Sequence, residues 1–240
     1  MNRDFHKPVF GKFTYPNHGD KPILIYGIGE IARIAFEYFS EDSPYSVSGF
    51  IADSEFIPRD SMVFGLKVID AREIGLSVNP EDYNIFVAFS GVSLSYPRSN
   101  KVTELARLGF TLPSYVSSYA FIASDACIGS NVMIFEHNTI QSEVTIEDST
   151  IVWSGNHIGH QTSIGTGCFI TSHVCIGGRT RVGNNSYFGM NSTVRDKLVI
   201  GPNSVIGSNS YVSKNFLGNG VAFGTPAKLV PSIDPFKSVN

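Results

Sequence analysis

The spacing of apolar residues divides the chain into two parts with different patterns. Between about residues 21 and 110, short apolar runs alternate with segments whose apolar residues recur at helical spacing. Three runs predict buried strands and two segments predict helices: 22–26, 47–51 and 83–89 for the strands, 31–39 and 101–108 for the helices. Strand and helix in alternation predict a small parallel sheet of the Rossmann kind.

Beyond Pro113 the pattern changes to an unbroken six-residue repeat. Counting in sixes from Val116 to Val212 meets valine or isoleucine at every step except Phe188. A glycine often follows the aliphatic residue directly, and a small residue mostly lies four places after it, as Thr162 does after Ile158. Such a register, kept over almost a hundred residues, is not a chance arrangement.

A six-residue repeat predicts a triangular coil in which three short strands complete a turn of 18 residues. Each coil hydrogen-bonds to the next about 4.8 Å above it. The aliphatic residue points inward, the small residue fills the corner, and the following glycine is expected to tolerate the turn. Because each unit buries its apolar side only by stacking on its neighbours, the product is a solenoid. The predicted fold is an α/β N-terminal Rossmann-like domain followed by an all-β left-handed parallel β-helix of hexapeptide repeats.

The two patterns and their flanks divide the chain into four predicted segments. The first is an N-terminal arm that carries Phe5, Phe10, Phe13 and Tyr15 and is expected to pack on its own or a neighbouring domain. A C-terminal cap or arm begins where the repeat is lost, near Lys214. The predicted bounds are 1–20 for the arm, 21–112 for the Rossmann-like domain, 113–217 for the β-helix and 218–240 for the C-terminal cap.

Composition narrows the classes of function. The chain has 240 residues, of which 42% are hydrophobic and 16% charged, and these values are typical of globular proteins. A net charge of -3 gives no basic footprint, so nucleic acid is not an expected partner. The first residues contain no continuous apolar run, so neither a signal peptide nor a membrane span is expected and a cytoplasmic location is predicted. The three cysteines have no metal-type spacing: Cys127, Cys168 and Cys175.

The 18-residue coil allows residues to be stacked from their numbers alone. His160 lies two places after the inward Ile158 and should face outward, with Gly178 one coil above it and Ser142 one coil below. Gln161 should lie over Glu143. The glycine has no side chain, so its backbone N–H could approach a ligand beside the imidazole.

Other polar residues of the repeat have simpler interpretations. Asn138 and Asn156 occupy the inward small position and predict a structural ladder. An outward histidine on a β-helix is most often a solvated surface residue, but His157, His160 and His173 fall within one coil's length. A zinc site made by these three is an alternative; they sit on different corners and no cysteine pairs with them, so no metal is predicted.

A second candidate site begins at the first predicted strand. Gly27-Ile28-Gly29-Glu30 opens a G-x-G-x-x-A pattern between a strand and a helix, which permits a tight turn and close approach of phosphate to the helix N-terminus. Asp53, just past the second strand, lies where a carboxylate would hold a ribose hydroxyl. The alternative is a glycine-containing βα junction that binds nothing. Hydride transfer is not indicated, because the domain is about half a full dinucleotide fold.

The combination of the two parts resembles the bacterial nucleotide-sugar acyltransferases of the sialic acid O-acetyltransferase and bacillosamine-pathway N-acetyltransferase type. The resemblance covers roughly residues 21–229 and is carried by ILIYGIGEIA, GFIADSE, the hexads, GNHIGHQTSIG and FGTPAK. It implies a homotrimer with active sites between subunits, acetyl-CoA as co-substrate, and a sugar nucleotide held near Gly27, Ile28, Gly29, Glu30 and Asp53. It also implies a role in surface polysaccharide or glycan biosynthesis, such as that of lipopolysaccharide O-antigen.

The resemblance also implies roles in the β-helix. His160, in His160-Gln161-Thr162-Ser163-Ile164-Gly165, matches the family's general base, and Gly178 matches the glycine whose N–H holds the thioester carbonyl. The segment Gly224-Thr225-Pro226 with Lys228 resembles the part that meets the outer portion of CoA. His157 and His173 are further candidates for contact with substrate, and either is next in line if His160 is not the base.

One departure from the family pattern affects the choice of acceptor. The acid that usually follows the histidine is Gln161 here, and Glu143 or an acid of a neighbouring subunit would have to supply the charge. Because a hydroxyl needs a stronger base than an amine, the predicted reaction is N-acylation of a nucleotide-linked amino-deoxysugar. Two alternatives stay open: O-acetylation of a sugar, as in the sialic acid type, and a non-catalytic β-helix scaffold that binds a sugar nucleotide.

Overall fold

The structure, a computed structural model, describes residues 11–15, 21–89 and 92–238. Its first part contains five strands and two α-helices in the order β1, α1, β2, β3, β4, β5, α2. Their bounds are β1 Ile23–Tyr26, α1 Glu30–Glu41, β2 Val47–Ala52, β3 Met62–Val63, β4 Leu66–Asp70, β5 Asn84–Val87 and α2 Tyr96–Arg107. Short 3-10 turns occupy Ser54–Phe56, Ala71–Glu73, Val92–Ser95 and, near the C-terminus, Pro235–Lys237. Neither α-helix of the described residues has the length and apolar content needed to cross a membrane.

The five strands form one sheet in the order β3-β4-β2-β1-β5. The strands β4, β2, β1 and β5 are parallel. After β1, the chain adds β2 and β4 on one side of β1 and then β5 on the other side, so the strand order reverses at β1. A crevice for ligands typically opens at the carboxyl ends of strands at such a switch point. The nucleotide-binding character of this domain stays a prediction.

One edge of the sheet differs from the predicted all-parallel arrangement. β3 and β4 form an antiparallel hairpin that the apolar pattern does not reveal. Its two-residue turn consists of Phe64 at φ 48° and Gly65 at φ 77°, both in the left-handed region that tight hairpin turns require. The second helix also begins earlier than predicted, because Tyr96, Pro97 and the polar residues after them form its first turn.

The second part is a parallel β-helix of the left-handed type. Its first face begins with six strands: β6 Tyr115–Val116, β9 Met133–Ile134, β12 Ile151–Val152, β15 Phe169–Ile170, β18 Tyr187–Phe188 and β21 Ser204–Ile206. The second face holds β7 Phe121–Ile122, β10 Thr139–Ile140, β13 His157–Ile158, β16 Cys175–Ile176, β19 Thr193–Val194 and β22 Tyr211–Val212. The third holds β8 Cys127–Ile128, β11 Thr145–Ile146, β14 Ser163–Ile164, β17 Arg181–Val182 and β20 Val199–Ile200.

The pairing register confirms the 18-residue coil. Ile140 of β10 pairs with Ile158 of β13, and Ile158 pairs with Ile176 of β16. The aliphatic residues of the repeat fill the interior, and those three are fully buried. After β22 the register shortens, since Ser204 of β21 pairs with Gly220 of β23 (Gly220–Phe223), and β24 (Lys228–Leu229) then folds back antiparallel. Parallel pairing therefore extends beyond the point at which the predicted β-helix segment ends.

The structure corrects the expected role of the repeat glycines. The corner residue in the left-handed region is the third one after the aliphatic residue, and at Glu143, Gln161 and Arg179 it is not a glycine. A glycine directly after the aliphatic residue is needed for close approach between coils: a Cβ on Gly159 would lie 2.5 Å from the backbone nitrogen of Gly178. Contact between stacked backbones, and not turn geometry, selects glycine there.

The asparagine ladder is confirmed. Asn138 and Asn156 are both 1% exposed, and the backbone N–H of Asn156 donates to Oδ1 of Asn138 at 3.0 Å. Asn156 in turn accepts from the backbone N–H of Val174, and its amide donates to the Trp153 carbonyl. These bonds satisfy buried backbone groups at one corner, so the ladder is structural.

The described part of the N-terminal arm packs under the first coil. The Gly11 N–H donates to the Ile122 carbonyl at 2.8 Å, and Phe13 contacts the interior of the β-helix. The Tyr15 hydroxyl donates to the Val116 carbonyl at 3.0 Å and accepts from the Val116 N–H. The predicted contacts of Phe5 and Phe10 lie outside the described residues.

Candidate functional site

A cavity of about 590 Å³ opens where β1 and β5 end and α1 begins. It brings together all five residues predicted to bind a nucleotide: Gly27, Ile28, Gly29, Glu30 and Asp53. The remaining lining residues are Tyr26, Ile31, Ala52, Phe56, Ala88 and Phe89. Its position agrees with the crevice expected at the switch point of the sheet.

The two glycines of the turn have different roles. Gly27 has φ +122°, and a Cβ there would lie 2.8 Å from the Ala88 carbonyl oxygen, so both backbone angle and space demand glycine. Gly29, the residue that caps α1, has φ -81° and nothing within 4 Å of an added Cβ. No side chain of the described residues caps this helix, so the first N–H groups of α1 are available beside the cavity. An anion would be favoured there.

Asp53 has a hydrogen-bond partner that the sequence does not predict. The Tyr26 hydroxyl donates to Oδ1 of Asp53 at 2.8 Å. Burial, together with this carboxylate, raises the pKa of Tyr26 well above its usual range, so the phenol stays a hydrogen-bond donor. Lys101 lies 5.2 Å from the centre of the Tyr26 ring on its other side. Asp53 is thereby oriented at the mouth of the cavity, with its second oxygen unclaimed by this bond.

The second candidate site lies on an exposed edge of the β-helix around His160. Its backbone is fixed: the N–H donates to Oε1 of Gln141 at 2.9 Å, and the carbonyl accepts from the Arg179 N–H at 2.8 Å. Within the described ranges its imidazole makes no hydrogen bond. An exposed ring on a fixed backbone is free to contact a substrate.

Gly178 lies directly above that ring, as the coil arithmetic predicts. A Cβ on Gly178 would come within 2.8 Å of Nε2 and 3.0 Å of Cδ2 of His160. The Gly178 carbonyl accepts from the Lys197 N–H at 2.9 Å. Its own N–H has no partner among the residues that the structure describes. At the same place in other repeats, the N–H groups of Ser130 and Thr166 donate to side-chain oxygens of neighbouring coils, whereas the absent side chain leaves that of Gly178 uncovered beside an imidazole.

Gln161 is held between an acid and a base on successive coils. Its amide nitrogen donates to both carboxylate oxygens of Glu143 at 3.2 Å, and its carbonyl oxygen accepts from Nε of Arg179 at 2.8 Å. We call Glu143, Gln161 and Arg179 the corner ladder. The predicted stacking of Gln161 over Glu143 is confirmed, but neither side chain hydrogen-bonds to the His160 ring in the described part of the chain.

The other candidate histidines are not gathered at this site by the structure. His157 lies on the second face, paired in register with Cys175 above it, and is exposed. His173 lies over Gly155, where a Cβ would meet its ring at 2.7 Å. Among the described residues no cluster of three metal-ligating side chains occurs.

A further cavity, of about 410 Å³, lies at the C-terminal end of the β-helix. Pro226 and Lys228, predicted to contact CoA, line it together with Lys214 and Phe216. Gly224 does not line it; it has φ +102° and its carbonyl accepts from the Tyr211 N–H. The structure therefore brings together part of the predicted segment and gives Gly224 a role in the turn.

Sequence reasoning missed several residues of both sites. Tyr26 and Phe89 line the cavity at the start of α1. Each is the last residue of an apolar run that predicts only a strand. Arg179 completes the corner ladder, and adding 18 to Gln161 would have found it.

Comparison with known proteins agrees with this description. The family model described as the GMPPB C-terminal domain matches residues 110–219, which is less than half of the chain and consists of the β-helix. A search of curated protein sequences finds no significant match.

Solved structures match over almost the whole chain. PerB from Caulobacter crescentus, in complex with CoA and GDP-perosamine, has a TM-score of 0.77 at 20% identity and covers 90% of this chain and 99% of its own. The acetyltransferase domain of PglB from Neisseria gonorrhoeae FA1090 has a TM-score of 0.78 at 21% identity, with 88% and 100% covered. WeeI from Acinetobacter baumannii AYE has a TM-score of 0.57 at 16% identity, with 88% and 100% covered.

At these identities the likeness establishes the fold. The left-handed β-helix predicted from the hexads is confirmed, and so is the structural resemblance to this group of enzymes. The chain thus has the fold of hexapeptide-repeat acetyltransferases that include proteins solved with CoA and a nucleotide sugar.

Proposed function

We propose that this chain transfers an acetyl group from acetyl-CoA to the amino group of a nucleotide-linked amino-deoxysugar. The observation that carries the proposal is the exposed His160 ring stacked on Gly178, whose N–H is uncovered. The fold shared with PerB and the PglB domain supports it, because those structures contain CoA with GDP-perosamine and acetyl coenzyme A respectively. The step would contribute to surface polysaccharide or glycan biosynthesis.

In this proposal the α/β part is a Rossmann-like domain that holds the sugar nucleotide. The diphosphate meets the free N–H groups at the start of α1 beside Gly29, while Asp53 accepts from a ribose hydroxyl. Gly27, Ile28 and Glu30 shape the turn and the wall of the cavity. The proposed domain bounds are those given by the sequence pattern, 21–112 and 113–217.

His160 acts as general base in the proposed reaction. The lone pair of the sugar amine attacks the thioester carbonyl carbon, and His160 removes the proton from the attacking nitrogen, so its imidazole must be neutral. The C–S bond then breaks, and the thiolate receives a proton to leave as free CoA. No covalent enzyme intermediate is needed, since holding both substrates in one groove supplies much of the rate enhancement.

Gly178 stabilises the negative charge that develops on the carbonyl oxygen. A backbone N–H placed at that oxygen contributes about 3 kcal/mol to the transition state. The corner ladder fixes the backbone beside His160 and offers no carboxylate directly to the ring. This arrangement favours an amine over a hydroxyl as acceptor, because a hydroxyl is a weaker nucleophile and requires a stronger base.

The acetyl-CoA would lie along the β-helix and reach the C-terminal cavity. Lys228 and Pro226 line that cavity, and the cation suits the phosphates of CoA. Gly224 and Thr225 hold the turn that presents them. A homotrimer would set this groove against a neighbouring subunit, where His157 and His173 could contact substrate.

The test is a free-thiol assay with acetyl-CoA and a panel of amino- and hydroxyl-sugar nucleotides. The proposal predicts CoA release with one or more amino sugars and little with their hydroxyl counterparts. Release only with hydroxyl sugars would replace N-acylation with O-acetylation. A chain that binds sugar nucleotides without releasing CoA would be a non-catalytic scaffold, and the proposal would be wrong.

A further inference from the structure

One corner of the β-helix serves as the docking line for the α/β part. Its residues are 18 apart, and three of them bond to that part: Asn131, Ser149 and Asn203. The buried Asn131 amide accepts from the Val87 N–H at 2.7 Å and donates to the Val87 carbonyl at 3.1 Å, as a neighbouring strand would. β5, an edge strand of the sheet, is thus paired to a side chain of the β-helix.

Arg98 of α2 is the charged residue that bonds to this docking line. It is fully buried, with 0% exposure. Its Nη2 donates to the Ser149 carbonyl at 2.7 Å, Nε donates to the same carbonyl and to Ser149 Oγ at 3.2 Å, and Nη1 donates to the Phe89 carbonyl at 3.2 Å. The guanidinium therefore ties the end of β5 to the second coil.

All of these acceptors are neutral. Among the described residues no carboxylate contacts Arg98. Cys168, whose thiolate would interact with Arg98, is a thiol whose pKa burial raises to about 12, so it is uncharged at neutral pH. Burial lowers the pKa of Arg98 to about 9, which still leaves the side chain protonated at pH 7. A buried cation without an anion is costly, and neutral acceptors offset only part of that cost.

Phe89 connects Arg98 with the cavity proposed for the sugar nucleotide, because its carbonyl accepts from the guanidinium and the residue lines that cavity. Phe89 and Ala88 line it, and the uncapped N-terminus of α1 faces it across the Gly27 turn. The start of α1 therefore favours an anion in the cavity, and the Arg98 cation lies at hydrogen-bond distance from the carbonyl of a lining residue. The carboxylates at the cavity, Glu30 and Asp53, suit hydroxyl groups of a ligand and not its phosphates.

We propose that Arg98 is a positioning residue for nucleoside diphosphate binding: it holds the Phe89 wall against the β-helix, and the diphosphate of the ligand balances its buried charge. This inference rests on the proposed function, because it takes the sugar nucleotide as the ligand of that cavity. It adds that a cation that touches no reacting atom helps to fix the geometry between nucleotide cavity and β-helix, together with the bonds of Asn131 and Asn203.

The experiment measures binding of UDP, GDP, CDP and dTDP, and of the matching nucleosides, by calorimetry. Arg98→Met removes the charge and the donors, Arg98→Lys keeps the charge with fewer donors, and Arg107→Met at the exposed end of the same helix is the control. We expect Arg98→Met to weaken the diphosphate that wild type binds by about tenfold or more, and nucleoside binding by much less. Arg98→Lys should recover part of the loss, and Arg107→Met should match wild type.

A merely structural role for Arg98 would weaken nucleoside and diphosphate equally, and that result would overturn the inference. An unchanged diphosphate affinity in Arg98→Met would also overturn it while leaving the proposed function standing. Wild type that binds none of the four diphosphates would instead remove the proposed nucleotide site itself. If Arg98→Met fails to fold, the Nε–H NMR signal of Arg98 in wild type decides, since it should shift on addition of the diphosphate and not of the nucleoside.

Discussion

At the scale of single residues, His160 differs from other outward histidines in the backbone group beside its ring. His137 packs beside Tyr119 with ring centres 6.4 Å apart, and His173 lies against Gly155, whose N–H donates to the Glu136 carbonyl at 3.1 Å. The Gly178 N–H beside His160 has no partner among the described residues. Surface position alone does not therefore make a histidine of this β-helix a candidate base. His160 is a candidate base because its ring also lies beside the uncovered backbone N–H of Gly178.

His160→Ala should lower turnover by about a hundredfold or more, because the proton acceptor for the attacking amine is lost. Steady-state kinetics with acetyl-CoA measures this effect. The variant should unfold at the wild-type temperature, since the side chain is exposed and makes no hydrogen bond among the described residues. His137→Asn is the matched control; asparagine tolerates the left-handed backbone at that corner. Near-normal turnover in His160→Ala would contradict its role as general base and leave His157 and His173 as the candidates.

Two glycine substitutions should separate catalysis from stability. Gly178→Ala places a methyl group against the far end of the His160 ring, so kcat should fall by about tenfold or more with little loss of stability. Gly183→Ala places the methyl group 2.5 Å from the backbone nitrogen of Pro202, away from His160, and the free energy of unfolding should fall by about 1–3 kcal/mol. Kinetics and urea denaturation of both variants test this. Equal effects of the two on kcat would contradict the role given to Gly178.

The candidate residues could be named from sequence because a fixed coil converts numbers into neighbours. His160 over Gly178 and Gln161 over Glu143 both follow from adding 18. Side-chain partners do not follow in the same way. The bond from Tyr26 to Asp53 joins the ends of two strands of the α/β part, and the bond from Arg98 to Ser149 joins the α/β part to the β-helix, so counting along the chain finds neither.

At the scale of elements, the end of α1 is joined to the first coil by one carboxylate. Asp42, which follows α1, accepts from the Tyr115 hydroxyl at 2.7 Å, the Ser118 N–H at 2.9 Å and the Ser117 hydroxyl at 3.3 Å. Burial alone would raise the pKa of Asp42, but these hydrogen bonds outweigh it and the pKa is lowered. The ionised carboxylate thus stabilises the contact between the two parts.

This pKa predicts how stability depends on pH. A carboxyl group whose pKa is lower in the folded state contributes stability above its unfolded pKa of about 4 and loses that contribution as pH falls through the folded value. The free energy of unfolding should therefore decline below about pH 4, and Asp42→Asn should remove part of this dependence. Urea denaturation between pH 3 and pH 7 measures both. An Asp42→Asn curve parallel to that of wild type would contradict the assignment.

The elements themselves divide into those that the sequence predicts well and those that it does not. The β-helix strands follow from an apolar period that only stacked coils can bury. The β3–β4 hairpin is not predicted from sequence, because its strands are short and its turn contains Phe64 in a left-handed conformation. The start of α2 is not predicted from sequence either, because its first turn is polar and contains Pro97.

At the scale of the whole molecule, the proposed reaction requires a neighbouring chain to close the groove at His160. Analytical ultracentrifugation should give a particle of three times the 26.2 kDa chain mass. His160 is exposed on the single chain, which agrees with an active site completed by a partner. A fully active monomer would contradict the trimer and the groove between subunits.

Identification of the product tests the central claim most directly. Wild type incubated with acetyl-CoA and an amino-sugar nucleotide should convert it to a product heavier by one acetyl group, with the new carbonyl bonded to the sugar nitrogen by NMR. Product should form in step with free CoA, and His160→Ala should form it at least about a hundredfold more slowly. Release of CoA without an N-acetylated sugar, or no reaction with any amino-sugar nucleotide, would contradict the account.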